Sequence, residues 1–365
     1  MTSVGKPSQD QFSARTLAME VRRGNLGRMP THCLISFGSN LGDRDTVVAK
    51  AAQLINRSGV VARGRRDSSS PTNTCGFEGL RTSRLFETPP IGGPGGQSPF
   101  LNAVAAFVTP ASAAEVLDVL QQTEHELGRQ RKDRWGARSI DLDVVLHGRL
   151  LGAAPAGRRG LIGGRGPAGS AHALVVPHPR YTARKFVVVP ACDVAADFCD
   201  PRFGWTMRQL ADHLDQSPPS MALTGGDEDL RRRICQRLAD EHSIQIVDAK
   251  TLAENDPDTI ATWHAEQPWI SPTVPRFLQE AAPQNPVDLA VPTNRLPRLI
   301  ARIDRITEAT RWPAPHRMWP SGWRWPEYRL EVDDFNWAVG EIASGLDSMR
   351  CDATPVTDNG HWWQT

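Results

Sequence analysis

The chain has 365 residues, of which 39% are hydrophobic and 23% are charged, and this composition is typical of soluble proteins. Its net charge of +1 argues against a nucleic-acid partner, and no apolar run is long enough to cross a membrane. Six scattered cysteines, none in a Cys-x-x-Cys pair, argue against a disulfide framework or a zinc ribbon. With no signal peptide in view, we predict a cytoplasmic protein without a membrane partner.

The length predicts about two domains, and shifts in composition predict their boundaries. Residues 1–30 are basic and poor in acids, which predicts a disordered extension or a start codon assigned too early; a transit peptide is the alternative. We predict a first domain over 31–216, with a flexible Gly/Ala/Arg-rich insert at 151–171. A Ser-Pro-Pro-Ser linker at 217–220 precedes an accessory α/β domain over 221–365.

The first domain alternates short apolar runs with helical patterns. Apolar spacing predicts a helix over 43–55, and a capping box at Ser112 opens a second helix that stops at Gly128. Strands are predicted over 33–37, 100–109, 140–146 and 186–189, with strand-like ends within 60–87. The order strand–helix–strand–strand–helix–strand predicts an α+β domain of the ferredoxin-like class, with an antiparallel-containing sheet and its helices on one face.

Two acids lie in the predicted strand over 140–146. Asp141 and Asp143 are two positions apart, so both side chains point to the same face of a strand. Paired carboxylates suit Mg²⁺, which usually takes one or two of them together with substrate phosphates. The preceding segment 128–138 is rich in arginine, which can bind a polyphosphate bidentately. The alternative is a solvated strand face whose acids are simply neutralised by these cations.

In its motifs the chain resembles the 6-hydroxymethyl-7,8-dihydropterin pyrophosphokinase family of the folate pathway. Five ordered motifs carry the resemblance: Phe-Gly-Ser-Asn-Leu-Gly at 37–42, Glu-Thr-Pro-Pro-Ile at 87–91, Phe-Leu-Asn at 100–102, the stretch 134–145, and Val-Pro-His-Pro-Arg at 176–180. The resemblance covers about 31–214. It implies transfer of pyrophosphate from ATP to the pterin hydroxymethyl group, with release of AMP. A pterin or nucleotide sensor, or a scaffold without turnover, is the alternative.

The resemblance also implies the residues on the phosphate side of the site. Asp141 and Asp143 would hold two Mg²⁺ ions between the phosphates of ATP, as a two-metal clamp for an in-line displacement. A mobile catalytic loop would contain Arg129, Arg131 and Trp135. The other implied contacts with ATP are Gln121, Glu124, Arg138, His178 and Arg184.

On the pterin side, the resemblance implies two aromatic rings that stack on a flat heterocycle. It also implies one amide that forms hydrogen bonds with the donors and acceptors along the edge of that heterocycle. The implied residues are Thr88, Pro89, Pro90, Ile91, Phe100, Asn102 and Phe186. The chain departs from the family pattern at Phe100, where some members have Tyr, and at Pro179, where some have an aromatic residue. The segments 62–80 and 151–171 are longer than is usual in this family, and both predict an altered rim of the substrate site.

The C-terminal part has fewer signals. Residues 221–231 predict a strand, a glycine turn and a helix; 244–248 and 288–291 predict further strands, and 299–306 a helix. This pattern is faintly similar to a nucleoside-kinase-like α/β domain without its phosphate loop. A structural or partner-binding appendage is the alternative, and its protein partner is not indicated. Tryptophans in this part suit a core or an interface, namely Trp319, Trp323, Trp325 and Trp337.

Overall fold

A computed structural model describes most of the chain beyond the first 28 residues. The described ranges are 29–63, 79–93, 95–129, 137–155, 173–216, 218–248, 267–275, 278, 296–305, 325–332 and 334–364. Several predictions lie outside these ranges: the N-terminal extension, most of the 62–80 and 151–171 segments, the strand over 288–291, and residues Arg131, Trp135, Trp319 and Trp323.

The first 216 residues contain an antiparallel sheet, a small hairpin and flanking helices. The strands are β1 (Thr31–Ser39), β2 (Arg81–Thr82), β3 (Phe86–Thr88), β4 (Phe100–Thr109), β5 (Asp141–His147), β6 (Gly152–Pro155) and β7 (Ala173–Val176). The helices are α1 (Arg44–Arg57), α2 (Ala113–Glu126), α3 (Lys185–Ala195) and α4 (Met207–Asp215), with a 3₁₀ turn at Tyr181–Ala183. The predicted strands over 33–37, 100–109 and 140–146 are confirmed, as are the first two helices and the α+β class.

The remaining elements form a second sheet, two longer helices and one final strand that belongs to the first sheet. They are β8 (Ser220–Thr224), α5 (Glu228–His242), β9 (Gln245–Ile246), β10 (Trp269–Ser271), β11 (Leu299–Arg305), β12 (Glu327–Val332), α6 (Phe335–Arg350) and β13 (Thr354–Pro355). Strands β8 to β12 pair in parallel, in the order β12-β11-β8-β10-β9. None of the helices in the described ranges has the length and apolar character needed to span a membrane.

Two predicted elements are wrong in type. The strand predicted over 186–189 lies in helix α3, since a short apolar run does not distinguish a strand from a buried helix turn. The helix predicted over 299–306 is strand β11, which is central in a parallel sheet and buried on both faces. Leu299 and Ile303 pack into one hydrophobic cluster, whereas Ile300 packs into another on the opposite side.

Helices cover both faces of the first sheet, which runs in the order β13-β3-β4-β1-β5 with β2 also paired to β4. On one face, helices α1 and α2 bury Val48 and Val116 in a cluster with Ile35. On the other face, Leu34 lies in a cluster with Val188 of α3. The prediction that the helices lie on one face is therefore wrong, because the run at 186–189 is itself a helix that packs on the second face.

The two sheets share one hydrophobic core. Leu34 and Val104 of the first sheet belong to the same buried cluster as Met221 and Leu330 of the second sheet. Ile342 of α6 lies in this cluster as well. Residues from the second part of the chain are therefore placed directly beside the first sheet.

The last described residues return to the first sheet, which the sequence did not indicate. Strand β13 pairs antiparallel with β3, and Trp363 is 7% exposed in the cluster that contains α1 and α2. The indole Nε1 of Trp363 donates to Thr82 Oγ1 at 2.7 Å, and Gln53 Nε2 donates to the Trp363 carbonyl oxygen at 2.9 Å. The end of the chain thus covers the edge of the first sheet.

We expect Trp363→Ala to lower the free energy of unfolding by about 3 kcal/mol, because it removes a large buried side chain and a hydrogen bond. Urea unfolding of the full chain measures this change. The control is Val356→Ala in the same segment, where the side chain is 50% exposed and little burial is lost. Equal stability of the two variants would show that the packing of Trp363 does not stabilise the fold.

Candidate active site

The antiparallel register brings the predicted functional residues to one face of the first sheet. Gly38 on β1 pairs with Asn102 on β4 and with Asp141 on β5, and Ser36 pairs with Asp143. Residues directly opposite one another in a sheet point to the same side. A Cβ atom at Gly38 would lie 3.4 Å from Asn102 Oδ1, so the glycine keeps the floor between the amide and the carboxylate open.

This face forms the floor of an open cavity, and the empty space in it, counted together with the adjoining open solvent, is about 970 Å³. Ten of the predicted site residues line it: Thr88, Pro89, Ile91, Phe100, Asn102, Arg138, Asp141, Asp143, Arg184 and Phe186. Within the described part of the chain, Pro90, Gln121, Glu124, Arg129 and His178 do not line it. Arg131 and Trp135 lie outside the described residues.

One end of the cavity is aromatic and has an oriented amide. Phe100 begins β4, and Phe186 lies in the first turn of α3. The amide of Asn102 is buried, and its Nδ2 donates to Thr88 Oγ1 at 2.8 Å. This bond fixes the plane of the amide beside the aromatic rings. The wrong secondary structure predicted for Phe186 therefore did not affect its predicted place in the site.

The other end carries the two carboxylates, each close to cations. Asp141 accepts from Arg138 and lies 2.7 Å from Nη2 of Arg129. Asp143 Oδ2 lies 3.4 Å from Nη1 of Arg184. The Arg184 guanidinium carbon is also 5.8 Å from the centroid of the Phe186 ring, so this arginine spans the polar and aromatic ends.

The carboxylate pair fits a magnesium ion that is shared with a ligand. Asp141 and Asp143 point to one face of β5. No group of three His, Cys, Asp or Glu side chains among the described residues is arranged to hold a metal ion. Mg²⁺ is commonly bound by one or two carboxylates, with substrate phosphates and water completing its shell. The donor set therefore suits an ion held jointly with a polyphosphate.

His178 lies behind Asp143 as a neutral hydrogen-bond donor. Its Nδ1 accepts from the Arg180 backbone N–H at 3.2 Å, which assigns the ring proton to Nε2. That Nε2 is 3.8 Å from Asp143 Oδ2. Burial, together with the charges of Arg184 and Arg180, holds the pKa of His178 well below its usual range. The ring therefore presents an N–H toward Asp143 without adding a charge.

Glu124 connects helix α2 to the strand that carries the acids. Its side chain is buried, and Oε1 accepts from the Leu142 backbone N–H at 2.8 Å and pairs with Arg129. Burial is the main cause that raises the pKa of Glu124 from 4.5 to about 7, although Arg129 opposes this shift. Glu124 thus fixes β5 and Arg129 behind Asp141.

The sequence did not indicate a further wall of the cavity, which comes from the C-terminal part. Tyr328 on β12 and four residues of helix α6 line the cavity: Glu341, Ser344, Gly345 and Ser348. One signal was present, since a glutamate and three small residues recur at three- and four-residue spacing along one face of this helix.

The raised pKa of Glu124 predicts a stability that falls with pH. The folded state holds the proton more tightly than the unfolded state, so stability is lost as pH rises from 4.5 to about 7. Glu124→Gln keeps an oxygen acceptor for Leu142 and does not titrate. Relative to this variant, the wild type should lose about 3 kcal/mol across that interval.

Urea unfolding with EDTA present, at about pH 5 and about pH 7.5, measures this difference. The control is Glu126→Gln, an exposed glutamate on the same helix, which should follow the wild type at both pH values. Parallel pH dependence of the wild type and Glu124→Gln would contradict the raised pKa.

Comparison with known proteins identifies the family. Residues 34–196 match the family model described as 7,8-dihydro-6-hydroxymethylpterin-pyrophosphokinase (HPPK). A pyrophosphokinase of Bacillus subtilis is 32% identical over 160 residues, which are 44% of this chain and 75% of that protein. Its counterpart in Methylorubrum extorquens is 30% identical over 187 residues, 51% of this chain and 96% of that protein. A solved structure of Plasmodium falciparum HPPK-DHPS aligns with a TM-score of 0.34 and 10% identity, covering 88% of this chain and 78% of that chain. This chain belongs to the 7,8-dihydro-6-hydroxymethylpterin-pyrophosphokinase family.

Proposed function

We infer that the chain transfers a pyrophosphoryl group from ATP to 6-hydroxymethyl-7,8-dihydropterin and that the cavity above the first sheet is where it does so. The family and the relatives carry the name of this activity. One observation supports this location most strongly. The register across Gly38 places Asn102 of the aromatic end and Asp141 of the acidic end on one cavity floor.

At the aromatic end, the pterin ring stacks between Phe100 and Phe186, and the side-chain amide of Asn102 forms hydrogen bonds with the edge of the ring. An amide side chain offers both a donor and an acceptor, which suits the mixed hydrogen-bonding edge of a pterin. Because Nδ2 of Asn102 already donates to Thr88 at 2.8 Å, the amide is oriented before the substrate arrives. Such preorganisation lowers the cost of binding.

At the acidic end, the triphosphate lies against Arg138 and Arg184, and Asp141 and Asp143 would hold two Mg²⁺ ions with it. When bound, these ions would supply positive charge that stabilises the attacking and leaving oxygens of an in-line displacement. The hydroxymethyl oxygen forms a bond to the β-phosphorus of ATP, and the bond from that phosphorus to the α-phosphate oxygen breaks. AMP leaves, and the hydroxymethyl proton is released. Positioning and neutralisation of charge contribute most of the rate enhancement in such transfers.

Arginines that pair with the acids of the site exchange partners when ATP binds. Arg138 and Arg184 contact Asp141 and Asp143 in the structure, and the phosphates offer them stronger bidentate acceptors. Arg129, held by Glu124, stays near Asp141 at the start of the segment that contains Arg131 and Trp135.

For the architecture, we propose a ferredoxin-like first unit, a nucleoside-kinase-like second unit and a cytoplasmic location. The parallel sheet and the turn at Gly225 and Gly226, which leads into α5, support the second assignment. Arg231 Nη1 donates to both glycine carbonyl oxygens, at 2.7 and 3.1 Å. Asp227 caps the helix by accepting from the Leu230 N–H at 2.6 Å. Because Asp227 caps the helix and Arg231 donates to the carbonyl oxygens of the turn, these groups are satisfied without a bound phosphate.

We expect Asp141→Asn and Asp143→Asn each to lower pterin-dependent AMP release by about 100-fold or more, which corresponds to about 3 kcal/mol of transition-state stabilisation. Each change removes a charge that the ions require. AMP is measured by chromatography with ATP and Mg²⁺, in the presence and absence of the pterin. EDTA should abolish the reaction, and excess Mg²⁺ should restore it.

The matched control is Asp45→Asn, an exposed aspartate in the first turn of α1, and its rate should equal that of the wild type. Tight binding of pterin and nucleotide without AMP release from the wild type would favour a sensor. A full rate in both variants would mean that Asp141 and Asp143 do not hold the metal.

A further inference from the structure

One face of helix α6 forms a wall of the cavity. Glu341, Ser344, Gly345 and Ser348 are spaced by three, one and three positions, so they share one helix face, which we call the α6 wall. All four line the cavity together with Phe100 and Asn102. They come from a part of the chain more than two hundred positions away from those two residues.

The α6 wall directly contacts the loop that follows the Glu-Thr-Pro-Pro-Ile motif at 87–91. A Cβ atom at Gly92, whose φ is +69°, would lie only 2.5 Å from Ser344 Oγ. Glycine at this position therefore lets the loop and the helix approach closely. Strand β13, which follows α6 by a few residues, pairs with β3 just before Thr88. The helix thus runs alongside the aromatic end of the cavity.

Close packing also holds the α6 wall against the second sheet. A Cβ atom at Gly345 would lie 2.7 Å from Met221 Cε and 3.6 Å from Tyr328 Cζ, so the helix approaches both side chains closely at this glycine. The cavity is therefore lined on this side by the two small side chains of Ser344 and Ser348, on a helix that packs closely against its neighbours.

The other end of the α6 wall holds the loop that carries the phosphate contacts. Glu341 is 5% exposed, and its Oε1 lies 2.6 Å from Nη1 of Arg180. The Arg329 backbone N–H donates to the Pro179 carbonyl oxygen at 2.8 Å, and Thr182 Oγ1 donates to the Glu327 carbonyl oxygen at 2.8 Å. The segment between His178 and Arg184 is therefore fastened to the second sheet and to α6.

We propose that Ser344 and Ser348 of the α6 wall are specificity-determining residues for the pterin. This proposal rests on the proposed function. The two serines set the space beside the flat heterocycle, so larger side chains at these positions exclude the pterin while leaving the triphosphate end unchanged.

The test compares Ser344→Leu and Ser348→Leu with Asn336→Leu, which adds a similar bulk to an exposed position of the same helix. In the full chain, each serine variant should raise KM for the pterin about tenfold or more, while KM for ATP changes less than about twofold. Asn336→Leu should leave both constants unchanged. Unchanged pterin KM in both folded serine variants would overturn the proposal.

A labelling experiment covers the case in which a leucine variant does not fold. The thiol introduced by Ser344→Cys is alkylated with iodoacetamide, and the peptide containing position 344 is quantified by mass spectrometry. Pterin together with α,β-methylene-ATP, whose reacting bond does not break, should slow labelling about tenfold relative to the ATP analogue alone. Labelling that the pterin does not affect would place Ser344 outside the site.

The outcomes separate this proposal from the proposed function. If the wild type releases no AMP with the pterin and does not bind it, the proposed function fails and the proposal fails with it. If the wild type turns over normally and the serine variants keep both KM values, only the role of the α6 wall is wrong.

Discussion

The site depends on the antiparallel register of three strands. Side chains that oppose one another across β4, β1 and β5 share a face, so the pairing of Gly38 with Asn102 and Asp141 fixes an amide and a carboxylate on one surface. A slip of one residue would turn Asp141 and Asp143 into the apolar cluster that now holds Leu142 and Val144. Burying two carboxylates there is costly, and therefore the core beneath the sheet protects the arrangement of the site above it.

Charge balance stabilises the two carboxylates on this surface. Asp141 and Asp143 would repel each other if they had no partners. Arg129, Arg138 and Arg184 contact them instead. The guanidinium groups of Arg138 and Arg184 would also suit the phosphates of the triphosphate that we propose for this end of the cavity. The neutral ring of His178 adds a donor without changing this balance.

The sequence predicts local features, such as a helix cap or the face of a strand on which a side chain lies. It does not predict which distant residues come into contact through packing. The acids of β5 follow from the two-residue period of a strand, and the helix after Ser112 from its capping box, which the structure contains. The apolar runs at 186–189 and 299–306 were assigned the wrong element because periodicity does not separate a buried helix turn from a buried strand. Eight of the ten lining residues lie in the ordered motifs, and Arg184 and Phe186 follow shortly after the last of them. Ser344 and Ser348 are in no such motif, and the place of their helix depends on close approaches of Ser344 to Gly92 and of Gly345 to Met221, far away in the chain.

The shared core explains why the second part of the chain bears on the chemistry of the first. Leu34 and Val104 lie in one cluster with Met221 and Ile342, so displacing α6 would expose apolar surface on both sheets. Removing Arg180 would take away the cation that pairs with the buried carboxylate of Glu341, which is more costly than losing a fully exposed pair. Both effects hold α6 against the loop from His178 to Arg184. A helix fixed in this way acts as a rigid boundary of the cavity, and rigid boundaries are what allow a site to distinguish ligands by size.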